Sequence, residues 1–143
     1  MLNKTINYTD YNDKAQKVEC HFNLTRAEFT RLDAKYGGFS KALQKYISDK
    51  DTASMLAFYE DLILSSYGIK ASDGEFYKVD ENGKKLSTKF AQTLAYDTLL
   101  DELLFEEGAS VNFIKGILPK DLADKIDSKE VQKEAAKLIE EIK

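Results

Sequence analysis

The sequence predicts a mainly helical α+β domain. An N-terminal β-hairpin packs on a compact multi-helix body, and a C-terminal amphipathic helix follows. Three observations carry this. Residues 4–23 hold two alternating apolar and polar runs around a turn-forming stretch. From residue 25 onward, apolar residues recur at helical spacing between capping and stop signals. The composition, 43% apolar and 32% charged, is that of a folded chain rather than a disordered one. At 143 residues the chain is one domain by length, able to bury roughly two-thirds of its surface.

The elements follow in order. Ile6 and Tyr8 share one face of the first run, and Val18, Cys20 and Phe22 one face of the second. Asp10, Asn12 and Asp13 favour a turn between them, so the hairpin covers about residues 4–8 and 16–23. A lone hairpin is marginal in water, so one face must pack on helices. Thr25 and Glu28 have the spacing of a capping box, with Leu24 and Phe29 placed as a hydrophobic staple. Phe29, Leu32 and Tyr36 continue that helix until Gly37 and Gly38 end it. A second helix spans residues 40–50, with Leu43 and Ile47 on one face. Thr52 or Asp51 caps a third, which carries Met55, Leu56, Phe58, Tyr59, Leu62, Ile63 and Tyr67, with Gly68 closing it. Its apolar residues exceed one stripe, which predicts the central, most buried helix. Residues 69–86, with turns at Ser72–Gly74 and Glu81–Gly83, form a short irregular hairpin or an extended loop. A helix from Leu86 to Glu107, broken near Gln92 and Thr93, ends at Gly108. Val111–Leu118 is a short helix stopped by Pro119, which opens one more turn with Leu122 and Ile126. Ser128 caps a last helix bearing Val131, Ala135, Leu138 and Ile142. That helix either packs on the domain or stands free to bind a partner. The domain therefore covers residues 1–126, and the C-terminal helix residues 127–143.

Charge and composition exclude several functions. The net charge of -4 argues against a nucleic-acid binder. No apolar run approaches a membrane span, so no membrane partner is expected. The opening MLNKTINYTD has no signal-peptide core, which predicts an intracellular chain. Residues 1–50 carry a net +3 and residues 51–143 a net -7, an asymmetry suited to solvation or to self-association. Cys20 is the only cysteine and can form neither an internal disulfide nor a thiolate metal cage. His21, the only histidine, sits beside it on a strand and so points to the opposite face. An exposed edge histidine and a half-buried cysteine fit better than a nucleophilic pair. Gly37–Gly38 lacks a phosphate-loop pattern, and DENGKK (80–85) lacks the ligand spacing of a calcium loop. No cofactor, metal or catalytic site is expected.

One stretch stands out. No Lys or Arg occurs between Phe90 and Phe113, while Asp97, Asp101, Glu102, Glu106 and Glu107 gather there. At helical spacing they form either a solvated face or a docking strip for a basic partner. With Val131, Leu138 and Ile142 of the last helix, they are the candidate partner-binding residues.

Several segments together resemble the tail assembly chaperones of long-tailed bacteriophages of Gram-positive hosts. The opening KTINYTDYND and CHFNLTRAE are similar to that family's start. YEDLILSSYGIKASDGEFYK, KFAQTLAYDTLLDELL and FIKGILP are similar to its middle. The matching positions include Tyr67, Gly68, Phe76, Lys78, Phe90, Tyr96, Leu99, Glu102, Phe113, Gly116 and Pro119, within residues 3–126. The resemblance implies a non-enzymatic protein that binds or coats the tape measure protein, keeps it soluble and aids recruitment of major tail (tube) protein subunits. It also implies a place in the host cell cytoplasm and absence from the mature virion, and the basic first third and acidic remainder of the chain suit weak contacts between copies in a homo-oligomer. Such proteins occur as a short form and a frameshifted longer one, and this chain resembles the short form. The alternative is a structural tail or head–tail connector protein retained in the particle.

Overall fold

A computed structural model of the chain describes residues 1–124. The predicted helix over 127–143 lies outside these residues.

The hairpin is longer than the sequence pattern suggested. Strands β1 (Leu2–Thr9) and β2 (Ala15–Phe22) pair antiparallel along their whole length, from Leu2 opposite Phe22 to Thr9 opposite Ala15. Asp10 builds the turn: one carboxylate oxygen accepts from the Asn12 and Lys14 N–H groups at 2.8 and 3.0 Å, the other from the Gln16 amide at 2.8 Å. This is the local bonding that makes Asp a turn residue. Alternation then sorts the faces, with Ile6, Cys20 and Phe22 buried and Asn3, Thr5, Asn7 and Thr9 exposed.

Three helices separate the hairpin from the rest of the sheet. Helix α1 (Arg26–Lys35) has the expected capping box: the Glu28 N–H donates to Thr25 Oγ1, and the Thr25 N–H donates to Glu28 Oε1. It ends in a paired glycine closure. Gly37 takes φ 64°, its N–H donates to the Ala34 carbonyl, and the Gly38 N–H reaches the Asp33 carbonyl at 2.9 Å. Helix α2 (Phe39–Ser48) buries Phe39, Ala42, Leu43 and Ile47. Helix α3 (Thr52–Ser66) is capped by Asp51, whose carboxylate accepts from the Ser54 N–H. It buries Met55, Phe58, Tyr59, Leu62, Ile63 and Ser66, as the broad apolar surface predicted.

Three expectations need correcting here. Gly68 does not close a helix that includes Tyr67. Helix α3 stops at Ser66, and β3 (Tyr67–Lys70) starts at once, pairing antiparallel with the end of β2 at Phe22–Tyr67 and His21–Gly68. The chain is turned out of the helix by that pairing and by the Asn23 N–H donating to the Ser66 carbonyl at 2.8 Å. Gly68 is needed for space: a Cβ there would lie 2.7 Å from the Phe76 ring and from the Tyr77 carbonyl oxygen. The second correction concerns β2, which is an inner strand in the order β1-β2-β3-β4. His21 is therefore not on an edge. It is partly buried, with Nδ1 2.6 Å from Asn3 Oδ1. Cys20 is buried rather than half-buried.

Strand β4 (Phe76–Tyr77) completes the sheet as a short irregular hairpin with β3. Lys78 then anchors the chain. Its Nζ donates to the Asn23 carbonyl at 2.7 Å, the Ser65 carbonyl at 2.8 Å and Glu28 Oε2 at 2.7 Å. The helix expected over 86–107 is broken where predicted, into α4 (Leu86–Phe90) and α5 (Leu94–Phe105), with Thr93 capping the second. Helix α6 (Ala109–Ile117) follows, and after Pro119 comes α7 (Lys120–Ala123).

Aromatic rings join the layers. Phe22, fully buried, meets Phe113 at 5.2 Å, Tyr67 at 5.9 Å and Phe90 at 6.0 Å. Phe58 is the matching hub at the other end, against Tyr36, Phe39, Tyr46 and Tyr59. Edge-on and tilted pairs of this kind add to the burial of large apolar area.

Candidate partner-binding surfaces

The length mismatch between hairpin and sheet creates the first surface. Strand β3 pairs only with the last two residues of β2, so the inner face toward the hairpin turn lacks a third strand. A groove of about 640 Å³ opens there, between that face, β3 and the α4–α5 junction. Its floor is apolar: Val18, Cys20, Tyr67 and Phe90, with Tyr8 as one wall. The Tyr67 and Phe90 rings stack in parallel at 4.1 Å. Lys84, Lys85 and Lys89 line its rim together with Asp80, whose Oδ1 accepts from the Asn82 and Lys84 N–H groups, and none of the three lysines has an ion-pair partner among the described residues. Burial pushes the Cys20 thiol up to about 11, so it stays protonated and is a packing group rather than a nucleophile.

Beside the groove, the β3–β4 hairpin exposes apolar side chains. Ile69 stands opposite Tyr77 and Val79 is two residues on, and all three are close to half exposed. Lys78, between Tyr77 and Val79, points the other way into its three acceptors. The anchor thus holds the outward apolar side chains in place.

A second cavity, of about 650 Å³, lies between α1, α3 and residues 78–91, and two of its charged pairs, Lys35–Asp61 and Lys78–Glu28, are matched within the chain. Lys35 bridges Asp61 at 2.7 Å, and the Tyr36 hydroxyl donates to the same carboxylate at 2.7 Å. Burial would raise the Asp61 carboxyl, but the hydrogen bonds from Lys35 and Tyr36 outweigh it and hold it below the usual range. Burial also opposes ionisation of Glu28, and Lys78 and the Thr25 N–H overcome it in the same way. These carboxylates are ionised and paired at neutral pH, so neither is poised as an acid or base. No group of three or more His, Cys, Asp or Glu residues suited to a metal occurs among the described residues.

The acidic residues singled out from the sequence are partly brought together. Asp97 and Asp101 are exposed on α5, with Leu100 and Leu104 half-buried and Phe105 exposed between and beyond them. That is one outward face at positions 97, 100, 101, 104 and 105. Glu102 is drawn aside, its Oε1 2.7 Å from Lys4 Nζ on β1. Glu106 and Glu107 are exposed at the C-terminal end of α5. Val131, Leu138 and Ile142 lie outside the described residues. Sequence reasoning missed the groove. The available signal was three lysines within residues 84–89, but its apolar floor comes from β2, β3 and α4.

No helix among the described residues is long and apolar enough to cross a membrane. No curated protein and no solved structure matches the chain. It does match the phage tail assembly chaperone family, over residues 1–142. That match spans nearly the whole chain, including the hairpin, the Lys78 anchor and the α4–α5 break. The protein is therefore a member of the phage tail assembly chaperone family.

Proposed function

We propose that this chain binds and coats the tape measure protein during tail assembly, keeps it soluble and aids recruitment of tail-tube subunits. Its family membership carries the reading, and a chaperone family implies a non-enzymatic role. The surface supports it. A long helical rod exposes apolar surface until the tube encloses it, and a holdase must offer apolar contacts while staying soluble. Ile69, Tyr77 and Val79 offer such contacts on a domain of net charge -4. In this reading the exposed acids of α5, Asp97, Asp101, Glu106 and Glu107, meet a basic partner surface. Val131, Leu138 and Ile142 supply further apolar contact.

The work is done in the host cytoplasm, and the chain leaves before the particle is complete. Quantitative mass spectrometry of purified virions tests this. The chain should be missing from particles that contain tube and tape measure in full. A stoichiometric amount in the particle would identify a structural tail or connector protein instead.

A further inference from the structure

We propose that the lysine-rimmed groove is the receptor for the acidic outer face of α5 in a second copy of this chain. The groove is apolar at its floor and net basic at its rim, where three lysines outnumber Asp80, so its best occupant is apolar along a stripe and acidic beside it. Helix α5 has that chemistry. Leu100, Leu104 and Phe105 share its outward face with Asp97 and Asp101, and no Lys or Arg occurs from residue 91 to 112.

The charges on both sides are unspent. Lys84, Lys85 and Lys89 form no ion pair among the described residues, and neither do Asp97 and Asp101. Opposite charges left unpaired within one chain and placed on separate faces are available to pair between chains. The groove also has the room. Its volume of about 640 Å³ accepts several side chains, and Tyr67 stacked on Phe90 gives it a flat apolar floor.

The two surfaces share no residue, so the contact is head-to-tail. Such contacts close into rings or continue as open helical arrays rather than stopping at two. Each junction can be weak, because a series of copies multiplies weak contacts through avidity. This concerns the chain alone and needs no tail partner. Its failure is therefore read separately from that of the tape-measure reading.

Charge reversal tests it. Sedimentation velocity is run on the 16.2 kDa wild type, on Lys85→Glu/Lys89→Glu and on Asp97→Lys/Asp101→Lys, with circular dichroism to establish that each is folded. At low salt the wild type should sediment faster as concentration rises. It should return to the monomer in about 1 M salt, where screening acts within roughly 3 Å. Each variant alone places like charges across the junction, and its association should weaken at least about tenfold. An equimolar mixture of the two variants restores opposite charges at every junction and should assemble again. A wild type that stays monomeric at high concentration and low salt would overturn the proposal. So would variants that associate as well as the wild type, or a mixture of folded variants that fails to assemble.

Discussion

Replacing Lys78 by Met tests whether a single ammonium organises the junction of the sheet with α1 and α3. The side chain is 23% exposed, and its Nζ has three acceptors at 2.7–2.8 Å: the carbonyls of Asn23 and Ser65 and the Glu28 carboxylate. Met keeps most of the stem and removes every donor. A hydrogen bond involving a charged group contributes about 1.5–3 kcal/mol, and an orphaned buried acceptor costs about 1–3 kcal/mol. Glu28 is 26% exposed, so water recovers part of the loss at its carboxylate. The net cost should be about 2–3 kcal/mol. Burial already disfavours the Lys78 ammonium and pulls its pKa down, which places the expected loss below the sum of three full bonds. Urea unfolding followed by circular dichroism reads the change directly as a lower midpoint at constant slope. For a chain of this size the melting temperature should fall by roughly 6–12 °C. Glu28→Gln in a double-mutant cycle should give a coupling of about 1 kcal/mol or more. A loss below about 0.5 kcal/mol, the behaviour of an exposed ion pair, would refute the reasoning.

Other outcomes follow from the same packing. Phe22→Ala removes a fully buried ring that meets three others, and should cost about 3–5 kcal/mol in denaturant unfolding. Gly68→Ala forces a Cβ against the Phe76 ring and the Tyr77 backbone oxygen, and should cost about 1–3 kcal/mol, whereas a helix-stop glycine with ordinary φ would tolerate alanine. Stability should fall in acid: Asp61 and Glu28 have lowered pKa values when folded, so their contribution is full above about pH 5.5 and is lost as pH drops through the folded values. It should also fall in alkali, because burial raises the Cys20 thiol from 9.0 to about 11 and raises Tyr59 above 10.0, so the unfolded chain loses these protons first. Thermal melts at pH 3, 7 and 10.5 check both limbs, and a profile flat from neutral to pH 10.5 would contradict the second.

What the sequence revealed was local chemistry. The Thr25–Glu28 box, the Gly37–Gly38 closure, the Asp51 and Thr93 caps and the break between α4 and α5 all rest on contacts within about six residues. Period-two alternation was enough to find the hairpin and its buried face. The start of β3 at Tyr67 was hidden because only a partner more than forty residues away, the end of β2, turns that segment from helix to strand. The same long-range pairing makes β2 an inner strand and moves His21 off the edge. Of the acidic strip, the spacing revealed the shared face of Asp97 and Asp101. It could not show that Lys4, across the fold, draws Glu102 aside. The groove was least legible, since alternating residues of β2 meet β3 and α4 there only after the sheet and helices have packed.

The most direct test of the chaperone account is co-expression with the tape measure protein encoded by the same phage genome. Soluble tape measure is measured with and without this chain, followed by size-exclusion co-elution. The account predicts that tape measure becomes soluble only in the presence of the chain and elutes with it. It also predicts that Tyr77→Ser/Val79→Ser, which alters two exposed side chains, weakens both effects while leaving the melt near that of the wild type. Tape measure that remains insoluble beside abundant, folded wild-type chain would contradict the account.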